Sequence, residues 1–262
     1  MQRSSSTTIA YLLSAVLFIL LLASVVFYLV HPRTVVQRQE TPYFDEISAS
    51  QYFPLAPGNR WVYQGVVKYT SSKGELLEQP VEVAMSVTGV VSGGDATLYL
   101  MSGHPGDFAG SLPEKPTSGR LKPPAQRYGY LVVANKVYLV SESDLEEVSA
   151  GVSKGSYLPQ LYQTSPEFEF PLFPGQRFGE ASQLARADRT HFWYVEEKNP
   201  TENGGDQSAG PAPVYGLTFR TSPDTIGINF QPYLGITSYS YQHHGTPLET
   251  SLELVDYYLA PR

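Results

Sequence analysis

Alternation of apolar and polar residues dominates the chain beyond residue 50. Between residues 81 and 91, apolar side chains recur at every second position and oppose polar ones such as Glu82 and Thr88. The apolar set is Val81, Val83, Met85, Val87 and Val91. A period of two predicts strands with one wet face, as in antiparallel sheets.

The same pattern predicts about ten strands. The predicted segments are 61–69, 81–91, 96–101, 128–133, 136–140, 168–173, 191–196, 214–220, 225–231, 236–241 and 251–259. Asn135-Lys136 is typical of a tight hairpin turn. The spacing of Ser143 and Glu146 matches a capping box, which predicts one short helix ending by Gly151. The fold class is therefore all-β, an antiparallel β-sandwich or a partly closed barrel, and not a nucleotide-binding α/β fold.

The N-terminal region carries a different pattern. Residues 9–30 form a run of 22 residues without a charge, which as a helix reaches roughly 33 Å and crosses a hydrocarbon core of about 30 Å. A cleaved signal peptide is the alternative, but its apolar region is shorter and ends in small residues. We therefore predict a short tail (1–8), a transmembrane anchor helix (9–30), a polar stalk (31–50) and a β-rich domain (51–262).

Flanking charges do not orient this helix, because Arg3 precedes it and Arg33 and Arg38 follow it. The usual outcome for a signal-anchor leaves the short tail in the cytoplasm and exports the large domain. We expect a single-pass protein of the plasma or inner membrane, with its main domain extracytoplasmic and its lipid contact made by the helix.

Charge and composition exclude several classes of protein. Beyond residue 30 the chain has 25 Asp and Glu against 17 Lys and Arg. An acidic domain without a basic cluster is a poor binder of nucleic acid and of anionic lipid surfaces. The chain has no cysteine, which excludes disulfides, thiol chemistry and a lipid-modified N-terminal cysteine.

One nine-residue motif occurs twice, at residues 53–61 and 170–178. Both copies carry Phe-Pro-Leu, then Pro-Gly, then Arg followed by an aromatic residue. Pro-Gly suits a type II turn, and the flanking apolar side chains pack as the chain enters a strand. We interpret each copy as a structural corner that opens one half of the domain; two equivalent ligand-binding corners are the alternative.

The first copy also carries a resemblance. Tyr52-Phe53-Pro54-Leu55, with Gly58-Asn59, Trp61 and Tyr63 after it, resembles the opening of a loose group of exported bacterial β-rich proteins, many of them lipoproteins. Tyr233-Leu234-Gly235-Ile236 and Leu252-Glu253-Leu254 are similar to the end of these proteins. The resemblance implies export to the cell envelope. It implies no chemistry.

Two long segments interrupt the strands, residues 102–126 and 199–213, both rich in proline and glycine. We expect surface loops or partly disordered segments there. They either carry binding or are tolerated insertions.

Candidate catalytic residues are few. Gly151-Val152-Ser153-Lys154-Gly155 matches the pattern of a nucleophile elbow, but that motif needs a strand before the serine and a helix after it, and neither is predicted. The acidic pairs Glu146-Glu147 and Glu196-Glu197 are sequence neighbours with divergent side chains, unlike the facing carboxylates of a glycosidase.

Metal and cofactor sites are not predicted either. His243 and His244 are adjacent and point to opposite faces of a strand. His104 shares the first long loop with Asp107, and His191 opens a strand. Zinc needs three or four convergent ligands, and this spacing provides none. We expect no catalytic, cofactor or metal residues and no cofactor.

Function is predicted only as a class. The leading hypothesis is a membrane-anchored extracytoplasmic β-domain that binds non-catalytically, either a small apolar ligand in a sheet cavity or a protein partner on an aromatic face. The alternative is an accessory single-pass subunit of a multi-protein membrane complex, in which Ala10 and Ser14 allow close helix contact. A hydrolase ranks third.

Overall fold

Twelve antiparallel strands form one sheet that curls into a nearly closed barrel. The structure is a computed structural model that describes residues 49–107, 112–156, 165–198, 213–245 and 248–261. Its strands are β1 (Arg60–Thr70), β2 (Leu76–Gly93), β3 (Ala96–Ser102), β4 (Arg127–Val133), β5 (Lys136–Val140), β6 (Phe168–Glu169), β7 (Arg177–Gly179), β8 (Phe192–Lys198), β9 (Val214–Arg220), β10 (Asp224–Gln231), β11 (Gly235–His243) and β12 (Leu248–Tyr258). Two helices accompany them, α1 (Ala49–Tyr52) and α2 (Leu145–Ser153). The all-β prediction is confirmed, with the barrel and not the sandwich.

The N-terminal predictions fall outside this description. The tail 1–8, the anchor 9–30 and the stalk up to residue 48 lie outside the described residues, as do residues 199–212 of the second loop. Within the described ranges, no helix has the length and apolarity needed to cross a membrane.

Strands that follow one another in sequence pair with each other, except β6 and β7, so the sheet is an up-and-down meander. The first strand also pairs with the last, β1 with β12, which joins the two halves of the chain. The gap lies between β6 and β7, where side chains replace a ladder. Gln176 Nε2 donates to the Glu169 carbonyl at 2.8 Å, and the Glu180 amide donates to Ser165 Oγ at 3.1 Å.

Alternation along the strands sorts side chains into two apolar clusters. The main cluster fills the barrel and is rich in aromatic rings from both halves. The second lies between α2 and β3–β5, with Leu145, Val148 and Val152 as the buried face of the helix. Gly129 makes room for the helix, because a Cβ there would lie 2.9 Å from Leu145 Cδ2.

Both copies of the repeated motif build the same corner. In the first, Gly58 N donates to the Val87 carbonyl and Val87 N donates to the Asn59 carbonyl, each at 2.9 Å. In the second, Gly175 and Gln176 make the equivalent pair with Val195, at 2.8 and 3.0 Å. The corners lead directly into β1 and β7, the first strands of the two halves. The prediction of structural corners opening each half agrees with this arrangement.

The residues that carry the sequence resemblance contact one another. Trp61 Nε1 donates to the Leu234 carbonyl at 2.7 Å, and the Tyr63 hydroxyl donates to the Ile236 carbonyl at 3.0 Å. A Cβ at Gly235 would lie 2.9 Å from the Phe53 ring. The opening motif and the later Tyr-Leu-Gly-Ile segment therefore form one packed unit.

Several local predictions were wrong. The predicted strand 168–173 pairs only over two residues, and β7 was missed. The capping box does not form: Asp144 is the N-cap residue of α2 without a side-chain cap, while the Ser141 and Ser143 hydroxyls donate to its carboxylate. The hairpin turn between β4 and β5 uses Ala134-Asn135, one residue earlier than predicted.

Candidate functional site

A cavity of about 620 Å³ opens at one end of the barrel. Its apolar wall comes from β8–β11 in the second half of the chain: Trp193, Phe219, Ile226 and Tyr239. Its polar wall comes from the first half, chiefly from the segment after β3 and the segment before β6. The barrel thus places an apolar wall and a wall of ionisable side chains on two sides of the same cavity.

His104 is held at the polar wall by a tight turn. Gly103 adopts φ +75° and donates its amide to the Gln126 carbonyl at 2.9 Å. The Gly106 amide donates to His104 Nδ1 at 3.0 Å. Because Nδ1 accepts this hydrogen bond it carries no proton, so the ring's hydrogen lies on Nε2.

Glu167 faces His104 across the cavity floor. Its backbone is fixed by the amide, which donates to the Val137 carbonyl at 2.8 Å. Its side chain is buried, and Oε1 lies 3.6 Å from His104 Nε2, beyond hydrogen-bond distance. Oε1 accepts a long hydrogen bond of 3.5 Å from the Tyr130 hydroxyl. Glu167 Oε2 and His104 Nε2 are buried without a partner among the described residues.

Tyrosine rings enclose this pair. Tyr128 and Tyr239 pack against the His104 ring with nearly perpendicular ring planes, at centroid distances of 5.2 and 5.7 Å. Burial raises the pKa of the Tyr128, Tyr130 and Tyr239 hydroxyls, and the Glu167 carboxylate raises them further. These phenols therefore stay protonated and act as hydrogen-bond donors. The Tyr128 hydroxyl makes no hydrogen bond of good geometry within the described residues.

Carboxylates outnumber cations around the cavity. Four acidic side chains line it, Asp107, Glu142, Asp144 and Glu167, against the single guanidinium of Arg127. Burial raises the pKa of Asp107. The site is therefore electronegative at neutral pH.

The first long loop contributes directly to this site. His104, Asp107 and Gln126 lie at its two ends and line the cavity. Its later part is fastened along β2, since Gln79, which is fully buried, donates to the Gly119 carbonyl and accepts from the Thr117 amide. The part of this segment around Thr117 and Gly119 is therefore held against β2 by hydrogen bonds.

The other candidates from the sequence do not converge. Ser153 ends α2, and its hydroxyl donates to the Ser149 carbonyl at 2.8 Å. His243 lies on β11 and pairs with Asp224 at 2.8 Å. His191 was predicted to open a strand, but it lies one residue before β8, with φ +65°. Both acidic pairs are exposed, Glu146-Glu147 on α2 and Glu196-Glu197 on β8. Over the described ranges, no three His, Asp or Glu side chains form a group suited to a metal ion.

Sequence reasoning noticed His104 and Asp107 but missed their partners. Glu167 precedes a strand of only two residues, which gives no sequence pattern to mark it. Trp193 and Tyr239 lie in predicted strands, where aromatic residues are expected simply as part of the core. A single sequence holds no signal that segments about 60 residues apart, such as those of His104 and Glu167, meet at one end of a barrel.

We expect alanine at Gly106 to narrow the cavity. A Cβ there would lie 2.6 Å from the Tyr239 hydroxyl oxygen and 3.2 Å from His104 Nδ1. The phenol can move, so we expect a cost of about 1–2 kcal/mol and a melting temperature lower by roughly 2–8 °C. The check is thermal unfolding of the full-length chain, with Gly119→Ala as control because nothing lies within 4 Å of that position. Equal melting temperatures would contradict the close packing at Gly106.

The fold and cavity define a class of protein: an up-and-down, nearly closed barrel with an amphipathic pocket at one end.

No protein family and no curated protein sequence matches the chain. A crystal structure of a protein described as exported, with a YmcC-like fold, from Bacteroides fragilis is 10% identical, with a TM-score of 0.33 over 79% of this chain and 98% of that one. A protein described as a lipoprotein from Parabacteroides distasonis is 13% identical, with a TM-score of 0.31 over 82% and 100%. MucB is 12% identical, with a TM-score of 0.24 over 81% and 58%.

Proposed function

We propose that this domain is a non-catalytic binding module that holds a small amphipathic ligand in the end cavity. The observation that supports it is the cavity itself: about 620 Å³, with an aromatic wall opposite buried polar atoms that lack partners. Ligand sites are typically concave, largely apolar and supplied with a few convergent polar groups. A buried polar atom without a partner is costly, so a ligand that supplies one is stabilised.

We further propose that the domain works outside the cytoplasm, attached by the uncharged run at residues 9–30. That run has the length and apolarity of an anchor. The Ser153 hydroxyl donates to the Ser149 carbonyl of its own helix, which argues against Ser153 as a nucleophile.

The two tryptophans offer a direct test. Trp193 lines the cavity, whereas Trp61 lies in the core and donates to the Leu234 carbonyl. We expect titration of 4-phenylbutan-1-ol into the full-length chain, labelled with 5-fluorotryptophan and held in lipid nanodiscs, to shift the ¹⁹F resonance of Trp193 saturably. The Trp61 resonance should stay in place. Trp193→Phe and Trp61→Phe assign the two signals.

A ligand that moves neither signal, or moves both in proportion to its concentration without saturation, would overturn the proposal. The first result means that nothing enters the cavity. The second means non-specific partition into the protein or the lipid.

A further inference from the structure

We propose that the cavity selects an organic ammonium ion with an apolar body, whose nitrogen binds the Glu167 carboxylate. This inference rests on the proposed binding function and adds the chemical class of the ligand. It depends on which side chains compensate the charge of Glu167, on the aromatic rings around it and on the wall opposite.

Glu167 has no permanently charged partner in the described part of the chain. No lysine or arginine there forms an ion pair with it. His104 is the nearest basic group, at 3.6 Å, and its Nδ1 accepts the Gly106 amide, so a ring that keeps this hydrogen bond carries its hydrogen on Nε2 and offers Glu167 only an N–H. A protonated ring would have to give up that backbone hydrogen bond.

An uncompensated carboxylate at this depth is expensive. Only 8% of Glu167 is exposed, and burying a charge without a partner costs far more than burying a neutral polar group. The Oε2 atom lacks any hydrogen bond from the described residues, while Oε1 has one long bond. A ligand ammonium supplies both a positive charge and several N–H donors, which satisfies the two deficits together.

The surroundings favour a cation over an anion. Tyr128 and Tyr239 pack against the His104 ring and line the cavity, and aromatic rings attract ammonium groups. Three further carboxylates line the cavity, and Arg127, exposed at its edge, is the single lining residue with a permanent positive charge. An anionic head group would meet this acidic lining and a buried carboxylate.

The opposite wall suits the apolar part of the ligand. Trp193 and Phe219 pack with ring centroids 5.3 Å apart, and Ile226 lies beside them on the lining. A short aryl or alkyl chain on this wall would cover rings that now face the open cavity. Burying that apolar surface adds affinity for any ligand with this skeleton, whatever the charge of its head group.

Three ligands with one skeleton separate charge from shape: 4-phenylbutylamine, 4-phenylbutan-1-ol and 4-phenylbutyrate. We measure the Kd of each at pH 7 from the ¹⁹F resonance of Trp193 in the full-length chain in nanodiscs. We expect the amine to bind at least about tenfold more tightly than the alcohol, and the carboxylate to bind most weakly. Glu167→Gln keeps the shape and removes the charge, so the amine should lose its advantage while the alcohol keeps its Kd within roughly threefold.

Glu142→Gln is the matched control, because Glu142 also lines the cavity but is exposed. It should retain most of the preference for the amine. An unchanged Trp61 resonance shows that each variant is folded. Equal binding of amine and alcohol, or a preference that survives Glu167→Gln, overturns the ammonium assignment and leaves the proposed function standing. If none of the three ligands shifts Trp193, the proposed function itself fails.

Discussion

Replacing Phe53 with alanine is expected to lower the free energy of unfolding by about 4 kcal/mol. Phe53 is fully buried, and its ring packs on Trp61, Tyr130, Phe168 and Phe230 at centroid distances between 5.4 and 6.1 Å. These rings come from both halves of the barrel, so the cavity left by alanine cannot be filled by one local shift. We expect the melting temperature to fall by roughly 8–16 °C.

The measurement is thermal unfolding of the full-length chain in nanodiscs, followed by collapse of the Trp61 ¹⁹F resonance. Leu76→Ala is the control, since that side chain is 67% exposed and should change the melting temperature little. Phe170→Ala tests the second corner, whose phenylalanine is also buried and packs on Phe168 and Phe230. If both corner variants melt like the control, the corners are not the core anchors described above.

Valine at Gly65 is also expected to be strongly destabilising, with a loss of roughly 3 kcal/mol or more in the free energy of unfolding. Gly65 lies on β1, opposite Leu252 of β12, at the seam that joins the two halves. A Cβ there would lie 1.9 Å from the Ser251 carbonyl oxygen and 2.9 Å from the Leu252 Cα. Both are backbone atoms, so relief requires the strands to separate and not a rotamer change.

Gly119→Val is the matched control, because a Cβ at Gly119 meets no atom within 4 Å. Thermal unfolding of the two variants, again from the Trp61 resonance, should show Gly65→Val melting well below the control or failing to fold. A Gly65→Val protein that melts within about 2 °C of Gly119→Val would show that the seam is looser than its register implies.

Much of the fold was predictable because most strands alternate apolar side chains that face the barrel core with polar side chains that face solvent. In β2, the predicted apolar positions Val81, Val83, Met85 and Val87 all lie in the barrel core. Val91 does not: the register shifts between Val87 and Gly89, and Val91 packs instead on the outer cluster beneath α2. A bulge reverses the faces of a strand, and alternation alone cannot locate it.

Short elements escaped prediction for a related reason. Three residues of β7 are too few to show a period, and β6 ends before Pro171, which has no N–H to donate to a ladder. At α2, the Ser141 and Ser143 hydroxyls donate to the Asp144 carboxylate, and Asp144 takes the N-cap position in place of Ser143, one residue later than predicted. Local competition between polar side chains decided this helix start.

The site was less predictable than the fold. His104 and Asp107 were noticed together in the sequence, but Glu167 was not. Glu167 lies close to His104 because the curled meander brings the segment before β6 and the segment after β3 to the same cavity. The aromatic wall comes from the other half of the chain. Such convergence depends on barrel closure, which the sequence pattern left open.

The most direct test of ligand binding in the end cavity is a crystal structure of the full-length chain with 4-phenylbutylamine. We expect the ligand nitrogen about 2.8 Å from Glu167 Oε2 and the phenyl ring against Trp193 and Phe219. A cavity that stays empty at saturating amine, or a ligand found only elsewhere on the barrel, would contradict the proposal.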